Sequence, residues 1–172
     1  LLAYYLLGRA YHEQGEAPMA LQYYQQAIEC ADTTASDCDF AQLSRVYAQM
    51  GQVFYYQRLV HQQLPIINKA IEYALIAKDT LTAMSYYWQK YNIYEEADSP
   101  SIAISIIDTL ALWYKNQDKI QLYARAKGRS VYLLLHTNEY IKAKEYMNIY
   151  EQLSGLFDNE GNIETGREIY YY

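Results

Sequence analysis

The chain has 172 residues, of which 52% are hydrophobic and 20% are charged, and this composition is typical of an ordered protein rather than a disordered one. With only three prolines and seven glycines it has too few turn residues for a loop-rich all-β fold. Its formal net charge of −6 argues against non-specific binding to nucleic acid, because a polyanion would be repelled.

The first predicted element is a pair of helices with a break at Gly15–Pro18, where Pro18 suits the first turn of the second helix. Small residues recur at helical spacing on both helices, and two helices can approach closely only where side chains are small. We therefore expect contact points at Gly8, Ala20 and Ala27, with the space between them filled by Tyr4, Leu7, Tyr11 and Tyr24.

A polar run over residues 32–39 precedes a second helix pair, since threonine, serine and aspartate favour caps and turns. Its register follows from the first pair: Ala27 comes 19 positions after Gly8, and Ala70 comes 19 positions after Gly51. The spacing predicts that Pro65 lies in the first turn of the second helix of this pair.

Two more helix pairs follow, with Ala103 and Ala143 at the position of Ala20, and with Ser99 as a predicted helix cap. The series Ala20, Gln63, Ala103 and Ala143 is spaced by 43, 40 and 40 residues. We divide the chain into four repeats, residues 1–38, 39–80, 81–118 and 119–158, and predict the start of a further helix within 159–172.

The stretch YYLLGRAYHEQGEAPMALQYYQQA resembles the tetratricopeptide repeat (TPR), a helix–turn–helix unit of 34 residues. It matches that family's W-x2-L-G-x2-Y…A-x3-F…A spacing with aromatic or conservative exchanges. The resemblance implies an all-α fold, a right-handed superhelical solenoid of antiparallel helix pairs that forms a single array over residues 1–172. Residues that pack the repeats together would be Gly8, Ala20, Ala27, Gly51, Ala70, Ala103 and Ala143.

The long repeats and the 22 tyrosines are similar to those of TPR proteins from Bacteroides and its relatives. That similarity implies a lipoprotein-type location in the cell envelope, with the cytoplasm as the alternative. No run in the sequence approaches the roughly 20 apolar residues of a membrane-spanning helix. Because helical patterns reach both ends of the sequence, we expect a fragment of a longer protein, whose apolar ends favour self-association.

In TPR proteins the first helix of each repeat lines a concave groove that holds a peptide. Tyr5 and Arg9 stand where the subclass that grips a chaperone's acidic C-terminus has lysine and asparagine, so the resemblance disfavours that ligand. Glu95 and Arg125 also map to the groove. The groove residues that the resemblance predicts are Tyr5, Arg9, His12, Arg45, Gln52, Tyr55, Tyr56, Trp88, Asn92 and Tyr132.

Catalytic and metal-binding motifs are not evident in the sequence. His12-Glu13 begins a string like HExxH, but Ala17 replaces the second histidine, and no nucleotide-binding or nucleophile motif occurs. We therefore expect no enzyme, no cofactor and no metal. Cys30 and Cys38 have no metal-ligand spacing and form either a disulfide or, as the more ordinary outcome, two free thiols.

Two functions remain open. The leading hypothesis is a non-catalytic scaffold that binds a protein or peptide segment in its groove. The alternative is a sensory or regulatory segment of a larger signalling protein. The basic run Lys115, Lys119, Arg125, Lys127 and Arg129 is interpreted as a solvated face rather than as a patch for an acidic partner.

Overall fold

The computed structural model describes residues 1–158 and 160–163, and within them the fold is all-α, with no strand beyond a single bridge between Phe157 and Ile163. The chain divides into two compact units, the first unit Leu1–Ile93 and the second unit Tyr94–Tyr172. The predicted further helix after residue 163 lies outside the described residues. The helices are α1 (Leu2–Glu13), α2 (Ala17–Glu29), α3 (Phe40–Tyr56), α4 (Val60–Ile76), α5 (Thr80–Glu96), α6 (Pro100–Asn116), α7 (Ile120–His136) and α8 (Tyr140–Leu153).

From α3 onward, the helices and the turns between them follow a constant 20-residue spacing. Five successive turns each place one residue in the left-handed region, and these residues follow one another by 20 positions: Arg58, Lys78, Asp98, Asp118 and Asn138. Each turn is closed by the backbone, as where the amide of the residue after Arg58 donates to the carbonyl of Phe54 at 2.9 Å. Because backbone groups make these bonds, the turns form without the glycine that such a conformation usually favours.

One helix boundary differs from the prediction. Pro65 was expected in the first turn of a helix, but α4 begins at Val60 and contains Pro65 in its interior. Proline lacks the amide hydrogen that would donate to the carbonyl four residues earlier, so α4 forms despite one missing bond. The prediction was wrong because proline was taken as a start signal, whereas the backbone turn at Arg58 starts this helix.

The connection between α2 and α3 is the irregular part of the first unit. Asp32 accepts hydrogen bonds from the amide and the hydroxyl of Thr34 at 2.9 and 2.6 Å, which fixes a local turn. Asp39 then caps α3 by accepting from the amide of Gln42 at 2.8 Å. The cysteines on either side, Cys30 and Cys38, are free thiols, and burial raises the pKa of Cys38.

In the first unit, consecutive helices α1 to α4 pack in sequence, and α1 also contacts α3. The close approaches are made by glycine: a Cβ on Gly8 would lie 2.6 Å from the ring of Tyr24, and one on Gly51 would lie 2.6 Å from Ile67. Ala20, Ala27 and Ala70 are buried beside them. Leu7 differs from the expectation, since it is 43% exposed, whereas Tyr4, at 38% exposed, stacks on Tyr23 of α2 with 6.5 Å between the ring centroids.

In the second unit α6 packs on α7, and α7 packs on α8. Ala103 and Ala143 are buried, as are the larger Ile107, Leu110 and Leu134. Burying each such aliphatic side chain contributes about 1.5–3 kcal/mol. Ser99 occupies the cap position of α6 but makes no side-chain capping bond, so only its predicted position is confirmed.

Candidate functional site

A cavity of about 430 Å³ lies in the first unit between α1 and α3. Helical geometry forms it, because residues three or four positions apart lie on one face of a helix. Four of its six lining residues are predicted groove residues. The lining comprises Arg9, His12 and Glu13 from α1, and Gln49, Gln52 and Tyr56 from α3.

The charged residues of this cavity form one exposed ion pair. Arg9 donates to Glu13 over 2.8 Å, one helical turn away. This hydrogen bond, followed by the influence of Tyr5, raises the pKa of Arg9 above its ordinary value. Exposed pairs of this kind stabilise a fold only slightly. The formal charges of the lining cancel, so the cavity attracts neither anions nor cations by net charge.

Two of the lining residues, His12 and Tyr56, carry aromatic rings. The rings of His12 and Tyr56 meet edge to face with 5.9 Å between their centroids, and Tyr55 meets Tyr56 in the same way at 5.6 Å. Such arrangements are favourable for aromatic pairs. Tyr56 is nevertheless 73% exposed, so most of its ring is available to a partner.

The side-chain amides of the two glutamines in the cavity can form further hydrogen bonds. Gln49 and Gln52 are half-buried, and among the residues that the structure describes neither side-chain amide makes a hydrogen bond. Each amide offers two donors and one acceptor oxygen. Half-buried amides without partners are the kind of group that a bound molecule can satisfy.

The side chain of Tyr24 on α2 is buried and packs against Gly8 of α1. Its hydroxyl has no hydrogen-bond partner in the described part of the chain. Burial is the main cause that raises the pKa of Tyr24 to about 12. Tyr5 raises this pKa further, whereas the positive charge of Arg9 lowers it. The hydroxyl therefore stays protonated at neutral pH and is available as a donor.

The remaining predicted groove residues lie elsewhere. Within the first unit, the half-buried Tyr5 packs its ring 6.3 Å from that of Tyr24, and Trp88 contacts Tyr91 at 5.8 Å. In the second unit, the exposed Tyr132 packs on His136 at 4.3 Å. The cavity lining does not include these residues, nor Arg45, Tyr55 and Asn92.

The second unit holds a polar cluster that the sequence analysis missed. Lys127 on α7 donates to Asp108 on α6 at 2.9 Å and to the Tyr146 hydroxyl on α8 at 2.7 Å. Tyr146 donates to Asp108 at 2.7 Å, and Lys142 approaches the other carboxylate oxygen at 3.2 Å. The one available signal was a charged residue inside an apolar run, as Asp108 follows Ile107 and precedes Leu110.

This polar cluster is internally satisfied. Burial disfavours the charged form of Asp108, but the hydrogen bonds from Lys127 and Tyr146 and the charge of Lys127 outweigh it and lower its pKa. Burial, and then the hydrogen bond to Asp108, raise the pKa of Tyr146. Every charge is paired, which indicates a structural role in holding α6, α7 and α8 together.

The cluster corrects the interpretation of the basic run as a solvated face. The Lys127 side chain is only 13% exposed and is bound to Asp108. Arg129 forms an ion pair with Glu95 at 2.9 Å. Lys115 and Lys119 are exposed, yet each lies over an aromatic ring, of Tyr123 and Trp113 respectively.

A second cavity of about 470 Å³ adjoins the polar cluster, between α6 and the start of α8. Its charges come from Asp108, Glu139 and Lys142, and Lys142 is already engaged by Asp108. It is otherwise lined by side-chain hydroxyls and two aliphatic side chains: Ser101, Ser105 and Thr109, with Ile104 and Leu112.

Two observations on the described residues and two comparisons with known proteins bear on function. In the described part of the chain, no group of three or more histidine, cysteine or acidic residues could hold a metal ion. Among the described helices, none has the length and apolarity needed to cross a bilayer. No protein-family model matches the sequence, and no similar sequence was found among curated proteins.

Proposed function

We propose that this chain is a non-catalytic binding module of the TPR type, and that the cavity between α1 and α3 holds a segment of a protein or peptide. The observation that carries the proposal is the pair of half-buried glutamines, Gln49 and Gln52, whose amides have no partners in the described residues. They lie beside the guanidinium of Arg9 and the exposed ring of Tyr56.

The chemistry of these groups suits an extended chain. A peptide group offers one donor and one acceptor, and a glutamine amide can pair with both. The Tyr56 ring supplies flat apolar area at a small entropic cost, as anchors of protein interfaces do. Arg9 adds further donors in a planar fork.

The fold supports the same proposal. Consecutive helices pack in pairs within each unit, and α1 and α3, the first helices of the first two predicted repeats, are in contact. In a right-handed superhelical array these helices would line the concave side, with the seven small packing residues between helices.

The proposal is tested by selecting binders from a displayed library of random peptides against the whole chain. We expect Tyr56→Ala and Gln52→Ala to weaken the selected peptides by about tenfold or more, with the melting temperature unchanged. The matched control is Tyr140→Ala, because Tyr140 is 60% exposed on a helix of the second unit. Peptides whose binding survives both cavity variants, or the absence of any binder, would contradict the proposal.

A further inference from the structure

The second cavity, between α6 and the start of α8, has no role in the proposed peptide binding. Its volume of about 470 Å³ lies within the range of small-molecule pockets, roughly 300–1,000 Å³. None of its lining residues lines the cavity between α1 and α3, which belongs to the first unit. An occupant of the second cavity would therefore be a separate ligand.

Helical spacing arranges the α6 side of this cavity in two rows. Residues four positions apart lie on one face of a helix, each about 6 Å further along its axis. In one row, Asp108 stands between two aliphatic side chains, those of Ile104 and Leu112. The other row carries three hydroxyls, from Ser101, Ser105 and Thr109.

The α8 side adds two opposite charges, Glu139 and Lys142, which lie one helical turn apart. Three-residue turns join α6 to α7 and α7 to α8, so neighbouring helices run antiparallel and α6 and α8 run parallel. Glu139 is the earlier of the two charged residues. It therefore lies toward the start of α6, on the side of Ser101 and Ser105.

Each of these two charges is in excess. Lys142 contacts one carboxylate oxygen of Asp108 at 3.2 Å, while the other oxygen already accepts from Lys127 at 2.9 Å. Two ammonium groups thus share one carboxylate, which leaves one positive charge over. Glu139 is exposed and forms no ion pair with any described residue, so it contributes the matching negative charge.

This charge pattern restricts the ligand. A ligand with only a carboxylate would leave Glu139 without a cation, and a ligand with only an ammonium would be repelled by Lys142. A zwitterion complements both charges. Its carboxylate can accept from Lys142, which has three donor hydrogens and needs one for Asp108. Its ammonium can donate to Glu139.

We propose that the cavity between α6 and α8 binds a free α-amino acid with an apolar side chain. Glu139 and the serine hydroxyls of α6 hold its ammonium, and Lys142 holds its carboxylate. The side chain of the amino acid lies against Ile104 and Leu112, and Leu112 is 59% exposed and so available for this contact.

The test titrates the whole chain with each of the twenty standard amino acids by calorimetry. We expect at least one with an aliphatic side chain to bind, and Glu139→Gln and Lys142→Gln each to weaken that binding by about tenfold. Asp108 keeps its bond to Lys127 in the second variant, so the fold should persist. The matched control is Glu151→Gln, because Glu151 is an exposed acid of the same helix outside the cavity lining, and it should leave the affinity unchanged.

Derivatives of the bound amino acid separate the two contacts. The N-acetyl derivative lacks the ammonium, so it should bind the wild type more weakly than the parent, and Glu139→Gln should not weaken it further. The methyl ester lacks the carboxylate, and Lys142→Gln should have no further effect on its binding.

The proposal is overturned if no amino acid binds at about 10 mM, if only polar or charged ones bind, or if both variants keep the affinity. It is also overturned if the derivatives bind as tightly as the parent. A selected peptide that depends on Glu139 and Lys142 would show that the cavity holds a protein segment instead. Gln52→Ala should not change amino-acid binding, so this proposal and the proposed function can fail separately.

Discussion

The two units use polar side chains in opposite ways. In the second unit, Asp108, Lys127 and Tyr146 satisfy one another across three helices. In the first unit, the side-chain amides of Gln49 and Gln52 line a cavity and make no hydrogen bond to any described residue. Polar groups that are paired hold helices together, whereas unpaired groups at a cavity cost stability and are available for a ligand.

The largest effect that separates the two regions should come from Asp108→Ala. It leaves the mostly buried Lys127 ammonium without its anion, and removing one partner of such a pair is far costlier than the pair was stabilising. We expect a loss of about 2–3 kcal/mol of unfolding free energy, because the pair is partly exposed. Denaturant titration measures it.

Glu151→Ala is the control for that experiment, since Glu151 is an exposed acid of α8 that forms no ion pair with any described residue. It should change the free energy of unfolding by less than about 0.5 kcal/mol. Equal stability of the two variants would show that the polar cluster does not hold the helices together.

A smaller effect should appear with pH. The pKa of Asp108 is lower in the folded chain than its ordinary value, so ionised Asp108 contributes stability above the unfolded-state pKa of about 4. That contribution is lost as the pH falls through the folded-state value. We expect the difference in unfolding free energy between wild type and Asp108→Asn to be full at neutral pH and to shrink below about pH 4.

Other acids also have lowered pKa values, such as Asp32, Asp79 and Asp158. Their contributions cancel when the unfolding free energy of Asp108→Asn is subtracted from that of the wild type. A difference that stays constant down to acid pH would mean that the charge of Asp108 is not what its neighbours stabilise.

The smallest effect on stability should come from substitutions in the cavity of the first unit. Gln49→Ala and Gln52→Ala remove amides that bond to no described residue, so each should change the free energy of unfolding by less than about 0.5 kcal/mol. A loss of more than about 1 kcal/mol from either would show that the amide is a structural group and would weaken the case for a binding cavity.

The helical class could be predicted from sequence because it depends on local periodicity. Small residues at helical spacing led to Gly8, Ala20, Ala103 and Ala143, all of which are buried. The turn at Arg58 was missed, because backbone bonds close it around a residue that carries no turn signal. For the same reason, Pro65 was expected in the first turn of its helix, although α4 begins at Val60.

The candidate site was only partly predictable. The resemblance to TPR proteins predicted Arg9, His12, Gln52 and Tyr56 as groove residues, and these four line one cavity. Gln49 was missed, because its place in the lining depends on how α1 and α3 pack. Tyr24 was correctly expected to be buried, yet its burial leaves a hydroxyl without a partner in the described part of the chain.

What the sequence determined by itself is therefore the order and type of the elements, since each helix follows from contacts within a few residues. Only the tertiary structure decided which polar residues meet. Lys127 belongs by sequence to an exposed basic run, yet it is buried against Asp108, which lies 19 residues earlier in the chain. The partner of Lys127 lies on another helix. The pairing is created by the packing of α6, α7 and α8, so the residues next to Lys127 in sequence could not predict it.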